Sequence, residues 1–413
     1  MLHISDRPLR ICLLSYRSNP HCGGQGVYIK NLGHALKSLG HAVTVVSGPP
    51  YPLLDPDISL CRLPSLDLYN PDHLFRVPTL KELAVPVNFM EWAGVSTMGF
   101  PEPFTFGIRV QQFMRHRMAN YDIIHDNQSL SYGIGAISRR IPTLATIHHP
   151  ITVDRRIAVR EAATWAKKFK QLRWFSFIGM QKRVARKLKR IITVSECSRK
   201  DIAREFGIPE NRFRVVPNGI DTDLFRPMRE ISRKAFRIIT TNSSDVPLKG
   251  LACLLHAVAD VSRTRPVHLV VVGTPGDAMA RLIRQLGISD QVTFTGRISD
   301  AEFVRQYATA SMAVVPSVYE GFGLPAGEAM ACGVPVISTT GGALPEVVGD
   351  AGLLVPPEDA GALAGAIIRL LEHPEYASVL GQKGYQRVHR LFTWKQAAEK
   401  TIAAYQEILC DYR

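Results

Sequence analysis

A chain of 413 residues with 46% hydrophobic content is long for one core and too apolar for extended disorder, so two domains of roughly 200 residues each are expected. Its formal net charge of +14 is concentrated: residues 155–190 carry 13 Lys/Arg against the single acid Glu161, one local device rather than the scattered basic patches of a nucleic-acid binder. Seven cysteines, odd in number and without a CxxC pair, argue for a reducing compartment and against a disulfide framework or a zinc site.

The polar start Met1–Pro8 runs straight into a strand and is not read as a signal peptide. No run of about 18 apolar residues exists to span a membrane, so the expected compartment is the cytoplasm. Strands are predicted at Arg10–Ser15, Val43–Ser47, Asp122–His125, Thr143–His148, Ile191–Ser195 and Arg214–Val216. Between the first two, Val27, Leu32, Leu36 and Leu39 recur at helical spacing, which makes a βαβ unit and implies a parallel sheet. The alternation restarts at Phe236–Thr240 and continues through Val267–Val272, Val292–Phe294, Met312–Val315, Val334–Ile337 and Leu353–Val355. Residues 49–108 break the rhythm with ten of the 27 prolines and a set of aromatics, and read as a long cover segment. The last segment, Arg390 to Arg413, places Trp394, Ala397, Ile402, Tyr405 and Ile408 on one apolar helical face.

Chemistry concentrates at strand ends. After the first strand, His21-Cys22-Gly23-Gly24-Gln25-Gly26 is a glycine turn whose amides can approach a pyrophosphate, a weak signal alone because a full G-x-G-x-x-G is absent. His125-Asp126-Asn127 and His148-His149 end two further strands. Lys249 opens a helix, where a point charge adds to the helix-end dipole. The stretch Tyr319-Glu320-Gly321-Phe322-Gly323-Leu324-Pro325-Ala326-Gly327-Glu328 sets two carboxylates eight residues apart around a glycine turn and a helix-opening proline. The amides of Phe322, Gly323 and Leu324 then face outward at a helix start, ready for an anion.

That last stretch resembles the Glu-x7-Glu motif of retaining glycosyltransferases of family 4. The Gly24 turn, Lys249-Gly250, Thr295-Gly296-Arg297, Gly341-Gly342 and Val216-Pro217-Asn218-Gly219 extend the resemblance over nearly the whole chain. It implies an α/β GT-B fold, with two Rossmann-like domains facing across a cleft and a C-terminal helix crossing back to the first. The expected boundaries are 1–225 for the first domain (insertion about 49–120, basic helix about 155–190), 226–388 for the second and 389–413 for the returning helix.

By resemblance, the reaction is transfer of a hexose from a nucleotide diphosphate donor, a UDP-sugar being expected, with retention by front-face attack and no metal or other cofactor. Glu320, His148 and Lys249 are the implied catalytic group. Gly24, Ser243, Lys249, Arg297, Glu320, Phe322, Gly323, Leu324 and Glu328 are implied in donor binding, Glu328 on the ribose. Family members carry an arginine a few residues before the lysine; here that position falls near Ser243, a departure from the pattern. His125, Asp126, Asn127 and His149 are assigned to the acceptor side, and His149 competes with His148 for the donor sugar. Asp221-Thr222-Asp223 imitates a metal-binding DxD but sits beside an interdomain segment, so no metal is assigned to it.

Within the basic segment, Trp165, Phe169, Leu172 and Phe175 fall on one helical face among Lys167, Lys168, Lys170 and Arg173. Such a face suits an anionic membrane and suggests a lipid-linked acceptor and a peripheral place at the inner membrane face. No nucleic-acid partner is expected. Two other readings stay open: an epimerase of the same fold acting on a sugar nucleotide, and a non-catalytic basic scaffold that binds membrane or RNA.

Overall fold

A computed structural model describes residues 7–19, 24–70, 73, 76–241 and 246–412. The chain divides into two compact units. One holds the residues up to Val194, Ser198–Val216 and those from Ala397 on; the other holds Ser195–Cys197 and Pro217–Gln396.

The first unit is built on seven strands: β1 Arg10–Ser15, β2 Ala42–Ser47, β3 Ser59–Arg62, β4 Ile123–Asn127, β5 Thr143–Ile147, β6 Ile191–Thr193 and β7 Phe213–Val215. Their order is β3-β2-β1-β4-β5-β6-β7, and every neighbouring pair is parallel. Helices cover both faces, so β4 and β5 are buried at every residue. On one face Phe106, Val110 and Met114 of the helix Glu102–Met114 pack on Cys12, Leu14 and Ile124. Another cluster sets Ile202 and Phe206 against Ala145, Ile147 and Ile191. Each such fully buried side chain contributes about 1.5–3 kcal/mol. The strand order reverses between β1 and β4, and crevices form at such reversals, beyond the carboxyl ends of the strands.

Six strands make the second unit: β8 Arg237–Thr241, β9 His268–Val272, β10 Val292–Phe294, β11 Met312–Val315, β12 Val336–Thr339 and β13 Gly352–Val355. They run parallel in the order β10-β9-β8-β11-β12-β13, with the reversal between β8 and β11. Leu254, Leu255 and Val258 of the helix Leu251–Ser262 fill its core against Ile238, Leu269 and Val314.

Three sequence expectations change. The insertion is not one long cover segment: it holds β3 and the helices Leu80–Leu83, Pro86–Ser96 and Glu102–Met114. Several of its prolines are helix starts, where a missing amide hydrogen costs nothing. The buried Glu91–Arg109 pair (2.7 Å) joins its two longer helices, and the amide of Leu66 donating to Glu91 ties them to the loop after β3. The first boundary moves from 225 to 216, because Phe225 packs edge-on against Phe303 and Tyr307 of the second unit. The second moves from 389 to 397: Phe392 packs on Phe322, while only the later turns of the helix Trp394–Asp411 join the first unit. There Tyr405 and Ile408 are fully buried, and Glu407 accepts from Arg190 and Arg214.

Candidate active site

In the second unit the site grows from two loops that begin at the reversal, after β8 and β11. Residues 242–245, and with them Ser243, lie outside the described residues. The loop after β8 resumes at Val246 and reaches Gly250, which takes φ +68° and starts the helix Leu251–Ser262. A Cβ on Gly250 would lie 2.0 Å from the carbonyl oxygen of Pro316, so only glycine lets the two loops meet. The amide of Val318 donates to the carbonyl of Leu248 (2.8 Å), locking them together. This register brings Lys249 Nζ to 2.7 Å from Glu320 Oε1, and Ser317 Oγ donates to the same oxygen at 2.8 Å.

A third loop supports Glu320 from behind. Ala343 donates its amide to the Glu320 carbonyl (2.9 Å). Cβ atoms on Gly341 and Gly342 would lie 2.4 Å from Val318 O and 2.2 Å from Glu320 O. Gly323, at φ +101°, then caps the helix Leu324–Ala331. Among the described residues no hydrogen bond takes the amides of Phe322, Gly323 or Leu324. The Phe322 ring is buried edge-on against Phe392, which fixes that corner.

Glu328 is half-buried, and burial pushes its carboxyl up to about 7; the nearby Tyr307 hydroxyl, which donates to the Pro325 carbonyl at 3.4 Å, pulls the other way. Arg297 stands exposed on the turn after β10, where Gly296 (φ +67°) bridges to Gly273. Arg237 does not fill the place of the expected arginine: its guanidinium is held by Thr309 (3.0 Å) and Gln306. Asp221 is a turn cap, accepting from the amide of Leu224 at 3.1 Å.

In the first unit the residues gather at the ends of β1, β4 and β5. Gly24 is the exposed first residue of the helix Gly24–Ser38. Gly26 is the glycine that packing demands, since its Cβ would lie 2.0 Å from Asn19 O. His148 Nε2 lies 2.8 Å from Asn127 Oδ1. The Asn127 amide nitrogen faces Ser15 Oγ and Gln25 O, so its oxygen faces His148 and Nε2 carries the proton. Burial, then the neighbouring His149, lowers His148 to about 3, so its ring is neutral and Nδ1 is an acceptor. The Tyr28 ring meets it edge-on at 4.7 Å. Its backbone amide donates to Gln128 Oε1 (2.8 Å). Gln128 itself sits at φ +56°, a strained turn secured by Gln181 donating to its carbonyl.

Two acceptor-side expectations are corrected. His125 and Asp126 do not open outward; they are 1% and 0% exposed. His125 bonds Tyr405 OH and Thr146 Oγ1, each at 2.7 Å, and burial holds it neutral, at about 3. Asp126 accepts from Ser129 Oγ and the Leu130 amide, tying down the turn after β4. Asn127 is also fully buried and serves as the partner of His148. The His149 ring pairs with Asp154 at 2.7 Å, whereas that of His148 is held by Asn127. Sequence reasoning missed Ser317, Tyr28 and Tyr307. Of these only Ser317, three residues before Glu320, carried a local signal.

Residues 22–224 match the model of Glycosyltransferase Family 4, and residues 235–373 that of Glycosyl transferases group 1. The chain belongs to glycosyltransferase family 4. An MMP α-(1→4)-mannosyltransferase from Mycolicibacterium hassiacum is 45% identical to this family member over 97% of the chain and 98% of the relative. A D-inositol 3-phosphate glycosyltransferase from Catenulispora acidiphila is 29% identical over 98% and 96%. A sucrose-phosphate synthase structure from Thermosynechococcus elongatus superposes with a TM-score of 0.74 at 25% identity, covering 97% of this chain and 100% of the other. Anabaena HepE in complex with UDP and glucose superposes at 0.70 with 16% identity, over 96% and 98%, a likeness of fold. The glycosyltransferase thus has the GT-B architecture of two Rossmann-like units, and the two relatives named here are transferases.

Proposed function

We propose that this glycosyltransferase moves a hexose from a nucleoside diphosphate to a sugar hydroxyl, retaining the α configuration at the anomeric carbon. Mannose is the hexose by likeness to the 45% identical mannosyltransferase, and that relative's α-(1→4) linkage makes a ring O4 the acceptor atom to try first. Uridine is the first base to test and guanosine the second. The observation that carries the reading is the Lys249–Glu320–Ser317 cluster beside the unengaged amides of Phe322–Leu324.

Departure of a diphosphate puts negative charge on its oxygens and positive character on C1 of the sugar, so catalysis rests on donors already aimed at the leaving group. Lys249 supplies a cation that Glu320 holds in place, and the helix-start amides supply the rest, with the Gly24 amide as a further donor. The second oxygen of Glu320 accepts from the hexose hydroxyls, and Glu328 accepts from the ribose. The neutral Nδ1 of His148 accepts a sugar hydroxyl without placing a cation beside the developing positive charge. Arg297 borders the base through its backbone. The acceptor oxygen bonds to C1 on the face the diphosphate leaves; the C1–O(phosphate) bond breaks, and the acceptor proton passes to the departing phosphate oxygen.

The test is to incubate the protein with UDP-mannose or GDP-mannose and a simple α-mannoside, and to read the product's anomeric signal by NMR. An α product from one donor, formed at the same rate with EDTA present, is expected. A β product, free mannose alone, or a requirement for divalent metal would overturn the reading.

A further inference from the structure

The helix Trp165–Trp174 carries Trp165, Phe169 and Leu172 on one face, 85%, 62% and 51% exposed. Phe175, expected to continue that face, instead starts a 3-10 turn and packs on Phe177. Exposed apolar side chains of this size do not stand in a row without a partner surface. The helix is not a loose segment. Thr164 caps its start by accepting the Lys167 amide (3.3 Å). At its other end Trp174 stacks on Phe100 at 5.0 Å, and Arg173 donates to Thr97 Oγ1 at 2.7 Å.

Charge decides what covers the face. Lys167, Lys168 and Lys170 flank it, and among the described residues no carboxylate pairs with any of them, whereas Arg156 and Arg160 nearby are paired with Glu205 and Glu161. The Lys168 ammonium lies 5.1 Å from the Trp165 ring centre. A neutral saccharide leaves these cations without a purpose. A second copy of the chain would set like charges against each other. Nucleic acid accounts for the lysines and leaves Phe169 and Leu172 in water.

We infer that this helix docks the protein on an anionic lipid bilayer. Trp165, Phe169 and Leu172 enter the headgroup–acyl boundary, and Lys167, Lys168 and Lys170 lie on the phosphates. The attachment is peripheral, since no helix among the described residues is long and apolar enough to cross a membrane. Lipid docking goes beyond the transfer reaction and does not depend on it, because activity on a soluble acceptor and binding to vesicles are measured separately.

The experiment is flotation of the full-length protein with phosphatidylcholine vesicles and with vesicles in which phosphatidylglycerol replaces part of that lipid. Binding at least about tenfold greater to the anionic vesicles is expected, weakened by salt. It should be lost in Lys167→Gln/Lys168→Gln/Lys170→Gln and, separately, in Trp165→Ser/Phe169→Ser/Leu172→Ser, with transfer to a soluble acceptor unchanged in both. The wild-type tryptophan emission should shift to the blue on binding, and Trp165→Phe should lose that shift. Absence of binding by protein with a folded circular-dichroism spectrum overturns the inference. So does binding indifferent to the apolar triple variant, or displacement from vesicles by RNA.

Discussion

Glu328 offers the sharpest residue-scale test of the donor assignment, because its ionisation is poised near neutrality. Burial has raised its carboxyl from the ordinary 4.5 to about 7. Ribose hydroxyls donate to the charged form, so donor binding lowers that value and expels a proton. Donor affinity should therefore rise as pH increases toward about 7, approaching tenfold per unit below that value, and level off above it. Calorimetry in buffers of different ionisation enthalpy should show proton release on binding, and Glu328→Gln should abolish both effects. The same raised carboxyl favours the fold only while protonated: that contribution is complete below its ordinary value and is lost as pH rises to about 7. His148 behaves differently. At about 3 it stays neutral across this range, so His148→Ala should lower kcat/KM by about tenfold to a hundredfold without altering the pH profile.

At the scale of elements, the site depends on glycines that let three loops interlock. Gly342→Ala drives a methyl into the Glu320 carbonyl, 2.2 Å away, at a φ of +63° that alanine resists. It should weaken donor binding by at least about tenfold through displacement of Glu320. Gly365→Ala, in the helix Ala360–Glu372 with nothing within 4 Å of its new methyl, should instead stabilise the protein by up to about 1 kcal/mol. Thermal denaturation and donor titration of the two variants check this contrast.

The elements that the sequence revealed are those buried on both faces, such as β4 and β5, whose apolar runs have no competing reading. β3 escaped because Ser59–Arg62 is an edge strand, exposed at both ends. The helices Pro86–Ser96 and Glu102–Met114 escaped because their prolines were read as loop rather than as first-turn residues. Glu320 and Lys249 were legible as a motif, but their contact was not. It needs Gly250 in a left-handed conformation and a hydrogen bond between loops 70 residues apart, Leu248 to Val318. His125 was misread as outward-facing because the group that closes over it, Tyr405, lies 280 residues along the chain.

For the whole molecule, two parallel-sheet units each turn a strand-order reversal into a place for polar residues: Lys249, Ser317 and Glu320 in one, His148, Asn127 and Gln128 in the other. The last helix is a structural member of the first unit, since Tyr405 reaches His125 and His125 reaches Thr146, which also bonds Tyr28. Excess positive charge is concentrated in the segment 155–190, whose helix Trp165–Trp174 is the proposed point of attachment. The central claim is that Lys249 and Glu320 bind a nucleoside diphosphate hexose, and isothermal titration with UDP- and GDP-mannose tests it most directly. The account predicts saturable binding of one donor by the native protein. Lys249→Ala should lose at least about tenfold in affinity for both the sugar nucleotide and the bare diphosphate, whereas Glu320→Ala should lose more for the sugar nucleotide. Equal binding by all three folded proteins, or no donor binding at all, would contradict it.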